Sequence, residues 1–277
     1  MRDLLRAFTK AWAESKSNMR RIYLVLLIAG GIPALTFAQG GRGGQSGPPP
    51  TAKAAAPVDL TGYWVSPIFE DYRWRMFTPL KGDAASVPIN NAARKIVDAW
   101  DPAKDEAAGE QCKAYGAAGL MRVPGYLHIT WQDDNTLRIE TTAGTQTRLF
   151  HFGGQPPNGG APSWQGYSAA MWDQPIPRGP AGVAPNFPRA GLKSRSLNVV
   201  TTQLREGYLR KNGVPYSAST TLTEYYDRWA EPNGQEWLTV TTVVTDPQYL
   251  AIPFVTSTDF KKEADGSMFI PKPCSAR

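Results

Sequence analysis

The sequence of 277 residues contains few metal-binding side chains, with only two histidines and two cysteines. A zinc site built from these residue types needs three or four ligands at close spacing, whereas these four are scattered along the chain. No C-x-x-C, H-E-x-x-H or EF-hand pattern occurs. We therefore expect no such metal centre, although a carboxylate-rich site stays open. We also expect no cofactor, because there is no G-x-x-x-x-G-K-[ST] loop and the glycines at 40–47 follow no strand.

Most of the net positive charge of the chain lies within the first 38 residues, and the remainder has little. The chain carries 30 Lys and Arg against 24 Asp and Glu, of which six basic and two acidic residues lie within 1–38. The remainder holds 24 basic and 22 acidic residues, so its net charge is +2 rather than +6. A nearly balanced chain lacks the basic footprint of a nucleic-acid-binding protein. We expect no nucleic-acid partner.

Residues 1–38 have the pattern of a secretory signal peptide. Two arginines, Arg20 and Arg21, precede the uncharged run Ile22–Phe37, and the small residue Ala38 follows it. An uncleaved membrane anchor is the alternative, but about 20 apolar residues are needed to span a bilayer, and this run is shorter and contains two glycines and a proline. We expect cleavage after Ala38, a periplasmic or secreted protein, and no membrane association after cleavage. Met19 is an alternative start.

Both cysteines lie after this leader. An even pair of cysteines in an oxidising compartment predicts one disulfide, between Cys112 and Cys274. The alternative is two unrelated thiols.

The pattern of the remaining residues predicts a linker followed by one domain. Residues 39–57 are rich in Gly, Pro and Ala and predict a flexible linker, so the single folded domain covers 58–277. Helical spacing of apolar residues predicts a helix over Ile89–Trp100, and a second short helix is expected within Glu110–Leu120. A long Gly- and Pro-rich loop is expected over 153–191.

Alternating apolar and polar residues predict the strands of a mainly β fold. The first is Val58–Val65, three more lie between residues 126 and 152, and the others are Ser196–Leu204, Gly207–Lys211, Ala218–Trp229, Glu236–Thr245 and Phe254–Phe260. Eight or nine antiparallel strands at hairpin spacing are typical of a closed barrel, with a β-sandwich as the alternative. One or two short helices are inserted after the first strand.

Gly62-x-Trp64 on the first strand resembles the G-x-W signature of lipocalins and related calycin barrels. The resemblance implies that Trp64 plugs one end of a barrel and that a basic residue near the last strand covers it. The inserted helices depart from the lipocalin pattern, in which a direct hairpin joins the first two strands. Larger pieces of the chain, among them 70–76, 100–105, 110–116 and 127–152, resemble a group of uncharacterised exported bacterial proteins, which implies export and fold but no activity.

Matching of strand faces predicts a trio of polar residues. A three-residue loop at Asp133–Asn135 places His128 opposite Glu140, and a loop at Ala143–Thr145 places Glu140 opposite Arg148. A His–Glu pair can transfer protons, with Arg148 as orienter, so these three are the candidate catalytic residues. The alternative is a charge ladder on a solvated sheet face.

Four other residues are candidate ligand-binding residues. Strand-like alternation places Arg73 and Arg75 on one face, where they could clamp a carboxylate or phosphate, or pair with Asp71 at a strand edge. Trp164 and Trp172 lie in the Gly- and Pro-rich segment and could line a pocket mouth.

Three functions fit these observations. We expect an exported lipocalin-like protein that binds a small apolar or aromatic molecule in a barrel cavity capped by 153–191. One alternative is a cofactor-independent enzyme of isomerase or hydrolase type that uses the His128–Glu140 pair. The other is an envelope module that presents its Pro-rich loop to another protein.

Overall fold

The computed structural model describes residues 48–156, 160–173 and 196–277. The predicted signal peptide, the linker up to residue 47, and the parts of the predicted loop at 157–159 and 174–191 lie outside the described residues.

The described residues contain eleven strands. They are β1 Gly62–Val65, β2 Tyr126–Asp133, β3 Thr136–Thr141, β4 Thr147–Phe152, β5 Tyr167–Trp172, β6 Ser196–Thr202, β7 Gly207–Arg210, β8 Val214–Tyr216, β9 Thr221–Ala230, β10 Glu236–Thr245 and β11 Phe254–Glu263. The helices are α1 Tyr72–Arg75, α2 Asn91–Ala99, α3 Pro102–Ala107 and α4 Ala117–Leu120, with a 3₁₀ turn at Lys113–Tyr115. All of these helices fall between β1 and β2, as expected for an insertion after the first strand.

Nine of the strands close into a barrel in the order β1-β11-β10-β9-β6-β5-β4-β3-β2. The predicted mainly β barrel is therefore confirmed and the sandwich is excluded. The expectation of a wholly antiparallel barrel is wrong, because β5 runs parallel to β4. The long connection between these two strands allows the chain to return along the barrel, which a parallel pair requires.

Three strands and one predicted helix differ from the sequence prediction. β5 lies inside the segment predicted to be a loop, and β7 and β8 form a separate two-stranded sheet outside the barrel. The predicted helix at Ile89–Trp100 is present as α2, whose first turn is capped by the Asn90 side chain, which accepts hydrogen bonds from two backbone amides. The predicted helix within Glu110–Leu120 is divided between the 3₁₀ turn and α4.

The G-x-W pattern has a clear structural role. Trp64 is fully buried, and its indole Nε1 donates to the Leu60 carbonyl at 3.0 Å. The Lys262 ammonium, on the last barrel strand, lies 4.5 Å from the centre of the Trp64 ring and donates to the Thr61 carbonyl at 2.6 Å. A Cβ at Gly62 would lie 3.1 Å from the end of this lysine, so glycine leaves room for it. The buried Trp64 is therefore covered by a basic residue of the last barrel strand, Lys262.

The barrel interior is filled by side chains. One apolar cluster surrounds Trp64 and Phe150, and a second packs Leu222 and Val244 of the barrel against Val97 and Tyr216 of the elements outside it. Between them lie inward-facing polar residues, which include Arg148, Ser168, Thr201, Glu224, Thr242 and Thr258. Side chains with no exposed surface border no space that water could enter, and Trp64, Phe150, Tyr226 and Leu238 are all 0 % exposed. The expected ligand cavity along the barrel axis is therefore absent at these described positions.

Part of the predicted linker contacts the barrel. The Ala52 amide donates to the Asn135 side chain at 2.9 Å, and the Lys53 amide donates to the Asp134 carbonyl at 3.0 Å. The Trp172 indole donates to the Ala52 carbonyl at 3.0 Å. This end of the linker therefore lies against the β2–β3 hairpin and β5.

None of the described helices is both long enough and apolar enough to cross a membrane.

Candidate functional site: a cationic groove outside the barrel

A cavity of about 380 Å³ lies on the outside of the barrel. Its walls come from six parts of the chain: the segment around α1, the 3₁₀ turn and α4 with the residues after it, the β3–β4 loop, strand β7 with the residue after it, the start of β11, and the tail that follows β11. We call it the groove. It contains five basic side chains and no Asp or Glu among its described lining residues; the basic residues are Arg75, Arg122, Arg210, Lys211 and Lys272.

Two of these arginines are anchored by acids behind the groove. The buried Arg75 pairs with Glu70, and its guanidinium also donates to Ser66 Oγ at 2.5 Å and to the Arg122 carbonyl at 3.1 Å. Arg122 pairs with Asp71 and with Glu70, the latter at 3.3 Å. Two carboxylates therefore hold two guanidinium groups at fixed positions.

Arg210 is held without a carboxylate. Its guanidinium donates to the Ala85 carbonyl at 2.7 Å and lies 4.7 Å from the centre of the Trp74 ring. Among the described residues, no acidic side chain forms an ion pair with Arg210, Lys211 or Lys272, although the Lys211 ammonium donates to the Arg277 carbonyl. A cation stacked on an indole and short of counter-charge can bind an anion.

Burial lowers the pKa values of the three arginines of the groove. It lowers the pKa of Arg210 to about 10, against weaker support from Asp71 and Asp83. Burial, followed by the like charge of Arg122, lowers the pKa of Arg75 to about 10, and burial lowers the pKa of Arg122. All three remain charged at neutral pH, but each lies in surroundings that disfavour its positive charge. An anion bound in the groove would relieve this cost.

Apolar side chains line the same groove. Trp74, Phe77, Tyr115 and Phe254 are among the lining residues, together with Met76. The groove can therefore accept an apolar or aromatic body beside an acidic group.

The predicted Arg73–Arg75 clamp is not formed. Residues 72–75 form the short helix α1 instead of a strand, after Asp71 adopts a left-handed conformation at φ 52°. The Arg73 side chain is 70 % exposed and pairs with Asp83 at 2.7 Å, whereas the Arg75 side chain is 2 % exposed and is among the groove-lining residues. A helix sends alternate residues in different directions, so the two arginines do not share a face. Arg122 and Arg210, and not Arg73, line the groove together with Arg75.

The predicted His128–Glu140 pair is present on the outside of the barrel. The two residues are directly opposite in the β2–β3 pairing, with His128 Nδ1 3.3 Å from Glu140 Oε2. The imidazole stacks on Tyr63 with a ring-centre distance of 4.2 Å, and Arg138 donates to Glu140 at 2.7 Å.

The predicted position of Arg148 is wrong. Thr141 donates to the Gln146 carbonyl, so the β3–β4 loop contains four residues instead of three. Gly144 and Thr145 both adopt left-handed conformations in it. The register shifts by one, Arg148 lies opposite Ile139, and its side chain points into the barrel.

Inside the barrel Arg148 forms a two-pronged ion pair with Glu224, with distances of 2.9 and 2.6 Å. Both side chains have no exposed surface. Burial alone would lower the pKa of Arg148, but the charge and hydrogen bonds of Glu224, with a contribution from Tyr226, outweigh it and raise the pKa.

The two predicted pocket tryptophans lie elsewhere. Trp164 donates to the Glu206 carbonyl at 3.3 Å and lies under Arg205, whose guanidinium is 4.6 Å from the ring centre. Trp172 packs against Phe152 at a ring-centre distance of 5.4 Å and against Trp131 at 6.5 Å. Neither tryptophan lines the groove.

The predicted disulfide is confirmed and lies beside the groove. Cys112 and Cys274 are bonded, with their Cα atoms 5.1 Å apart. The tail residues beside Cys274, including Lys272 and Ser275, line one wall. The bond therefore fixes that wall against the 3₁₀ turn. Within the described residues, no group of three or more His, Cys, Asp or Glu is placed to hold a metal ion.

Comparisons of the chain with family models, with curated protein sequences and with solved structures gave no match. The resemblance to lipocalins and to exported bacterial proteins stays a prediction, and the geometry of the groove carries the functional argument.

Proposed function

We propose that the protein is an exported binding protein for a small molecule with an apolar or aromatic body and an acidic group. The ligand occupies the groove outside the barrel, because the barrel axis is filled by buried side chains. The single observation that carries the proposal is Arg210, a half-buried cation stacked on Trp74 with no carboxylate ion-pair partner among the described residues.

The acidic group lies between Arg210 and the two anchored arginines, and Trp74 and Phe77 contact the apolar body. Hydrogen bonds from fixed guanidinium groups to an acid are among the stronger polar contacts in proteins. The disulfide supports export to an oxidising compartment, since such bonds persist there and are rare in the cytosol.

The enzyme hypothesis receives less support. Its proton-transfer pair, His128 and Glu140, is in contact at 3.3 Å, but Arg148 is on the other face of the sheet and bonded to Glu224. Neither His128 nor Glu140 lines the groove.

The test uses the mature protein with its disulfide intact and the aromatic anion anilinonaphthalene sulfonate as the probe. We expect Arg210→Gln to weaken its binding about tenfold or more, because a hydrogen bond to a charged group is worth about 1.5–3 kcal/mol. Binding is measured by isothermal titration calorimetry. Mass spectrometry of small molecules that co-purify with the protein then identifies the natural ligand.

Arg205→Gln is the matched control. Arg205 is also an arginine stacked on a tryptophan, at 4.6 Å from Trp164, but it lies outside the groove. Equal losses for the two variants, or no loss for Arg210→Gln, would refute binding in the groove.

A further inference from the structure

We propose that the protein docks on an anionic lipid bilayer through the segment 69–80, with an acidic lipid headgroup entering the groove. This inference rests on the proposed function, because it names the ligand class of the same groove.

The segment 69–80 exposes large apolar side chains that the fold does not cover. Five of them are between 49 % and 79 % exposed: Phe69, Tyr72, Met76, Phe77 and Leu80. Single exposed apolar residues are ordinary, but a group of this size within twelve residues marks an interaction surface.

These side chains continue into the groove. Met76 and Phe77 line it, and the Tyr72 ring lies 6.2 Å from the Phe77 ring. The Asn212 side chain, which follows β7, donates to the Leu80 carbonyl at 2.9 Å and so fixes the far end of the segment. Met76, Phe77 and Tyr72 therefore connect the exposed apolar side chains of the segment with the cationic groove.

Positive charge adjoins the apolar side chains. Arg73 and Lys81 are exposed within or next to the segment, and Arg210, Lys211 and Lys272 lie in the groove without acidic partners among the described residues. Basic residues close to an anionic membrane are attracted by its surface charge. The charge is complementary to acidic headgroups.

The order of these groups matches a lipid interface better than a protein partner. Aromatic residues with polar tips, such as Tyr72 and Trp74, are favoured where headgroups meet acyl chains. The exposed apolar tips can enter the acyl boundary while the recessed arginines meet phosphate. A protein partner would need to present an acidic group and an apolar surface at the same spacing.

The test is sedimentation of the mature, oxidised protein with vesicles of equal parts phosphatidylglycerol and phosphatidylcholine. We expect binding to these vesicles, several-fold weaker binding to pure phosphatidylcholine vesicles, and weakening as salt rises. Tyr72→Ser with Leu80→Ser should reduce vesicle binding on the order of tenfold, because two apolar side chains no longer leave water. Neither residue lines the groove.

Met171→Ser with Val200→Ser is the matched control, since both residues are exposed on the outer face of the neighbouring strands β5 and β6. No sedimentation with anionic vesicles, equal binding to neutral vesicles, or equal losses for the two double variants would overturn the inference. If the Tyr72/Leu80 variant and the wild type bind anilinonaphthalene sulfonate equally while vesicles fail to bind either, the proposed function stands and only the bilayer is excluded.

Discussion

Arginine side chains lie both in the barrel interior and in the groove, and the pKa of Arg148 in the interior is shifted in the opposite direction to that of Arg210 in the groove. In the interior, Arg148 meets Glu224 through two hydrogen bonds, and its pKa is raised. In the groove, Arg210 has an indole and a carbonyl as partners, and burial lowers its pKa to about 10. The presence or absence of a carboxylate partner therefore distinguishes Arg148, which is paired within the fold, from Arg210, which is not.

The difference in partners also separates stability from binding. A buried pair that is complete contributes to the specificity of the fold, and the loss of either partner leaves a charge stranded in the core. A buried cation that lacks a counter-charge weakens the fold slightly and strengthens the binding of an anion.

The largest expected effect comes from breaking the interior pair. Glu224→Gln should destabilise the protein by about 3–5 kcal/mol, because Arg148 would keep its charge without a carboxylate. Denaturant unfolding of the purified variant measures the loss. Arg148→Met combined with Glu224→Leu serves as the control and should recover most of it, since no charge then remains in the core. A stable Glu224→Gln variant would show that the interior pair is not the stabilising contact described here.

A smaller but still large effect is expected for the bond that holds the groove wall. Cys112→Ser with Cys274→Ser should cost about 2–4 kcal/mol of stability. It should also weaken binding of anilinonaphthalene sulfonate, because the tail that carries Lys272 is released. Thermal unfolding and calorimetric titration measure the two effects. Wild-type protein treated with reductant provides the control and should behave like the double variant. Full binding after reduction would show that the tail does not contribute to the binding site.

The smallest effect is expected on the outer face of the barrel. Glu140→Gln should change stability by less than about 0.5 kcal/mol, because water screens its contacts with His128 and Arg138. Binding in the groove should not change. Chemical unfolding and titration with the same probe check both expectations. A loss of stability of more than about 2 kcal/mol, or a loss of probe binding, would indicate that His128 and Glu140 have a functional role.

The sequence predicts the barrel because the relevant signals are local. Alternation and turn residues determine most strands, and the matching of faces gives the correct register for His128 and Glu140. The same reasoning fails one hairpin later, since a loop of four residues with left-handed Gly144 and Thr145 cannot be distinguished from a loop of three by alternation alone. That single step moves Arg148 from the surface to the core.

The groove could not be predicted in the same way. Arg75, Arg122, Arg210 and Lys272 lie far apart in the sequence and meet only because inserted helices, a separate hairpin and the disulfide-bonded tail pack on one side of the barrel. No local pattern marks Arg122 or Arg210. The strand-like alternation of residues 70–76 pointed to the right neighbourhood through Arg75, but with the wrong backbone conformation.

Barrel closure has a consequence for the order in which this protein folds. Strand β1 has four residues and is paired on one side with β2 and on the other with β11, so Tyr63 faces both His128 and Glu263. The second of these pairings joins residues from the two ends of the folded domain, and contacts between such distant positions form slowly. Until the β1–β11 contacts form, β1 and β11 are open edges that can pair with other chains. Pairing of the short strand β1 with β11 therefore closes the barrel. Once this pairing has formed, the barrel has no open strand edge through which the folding chain could aggregate.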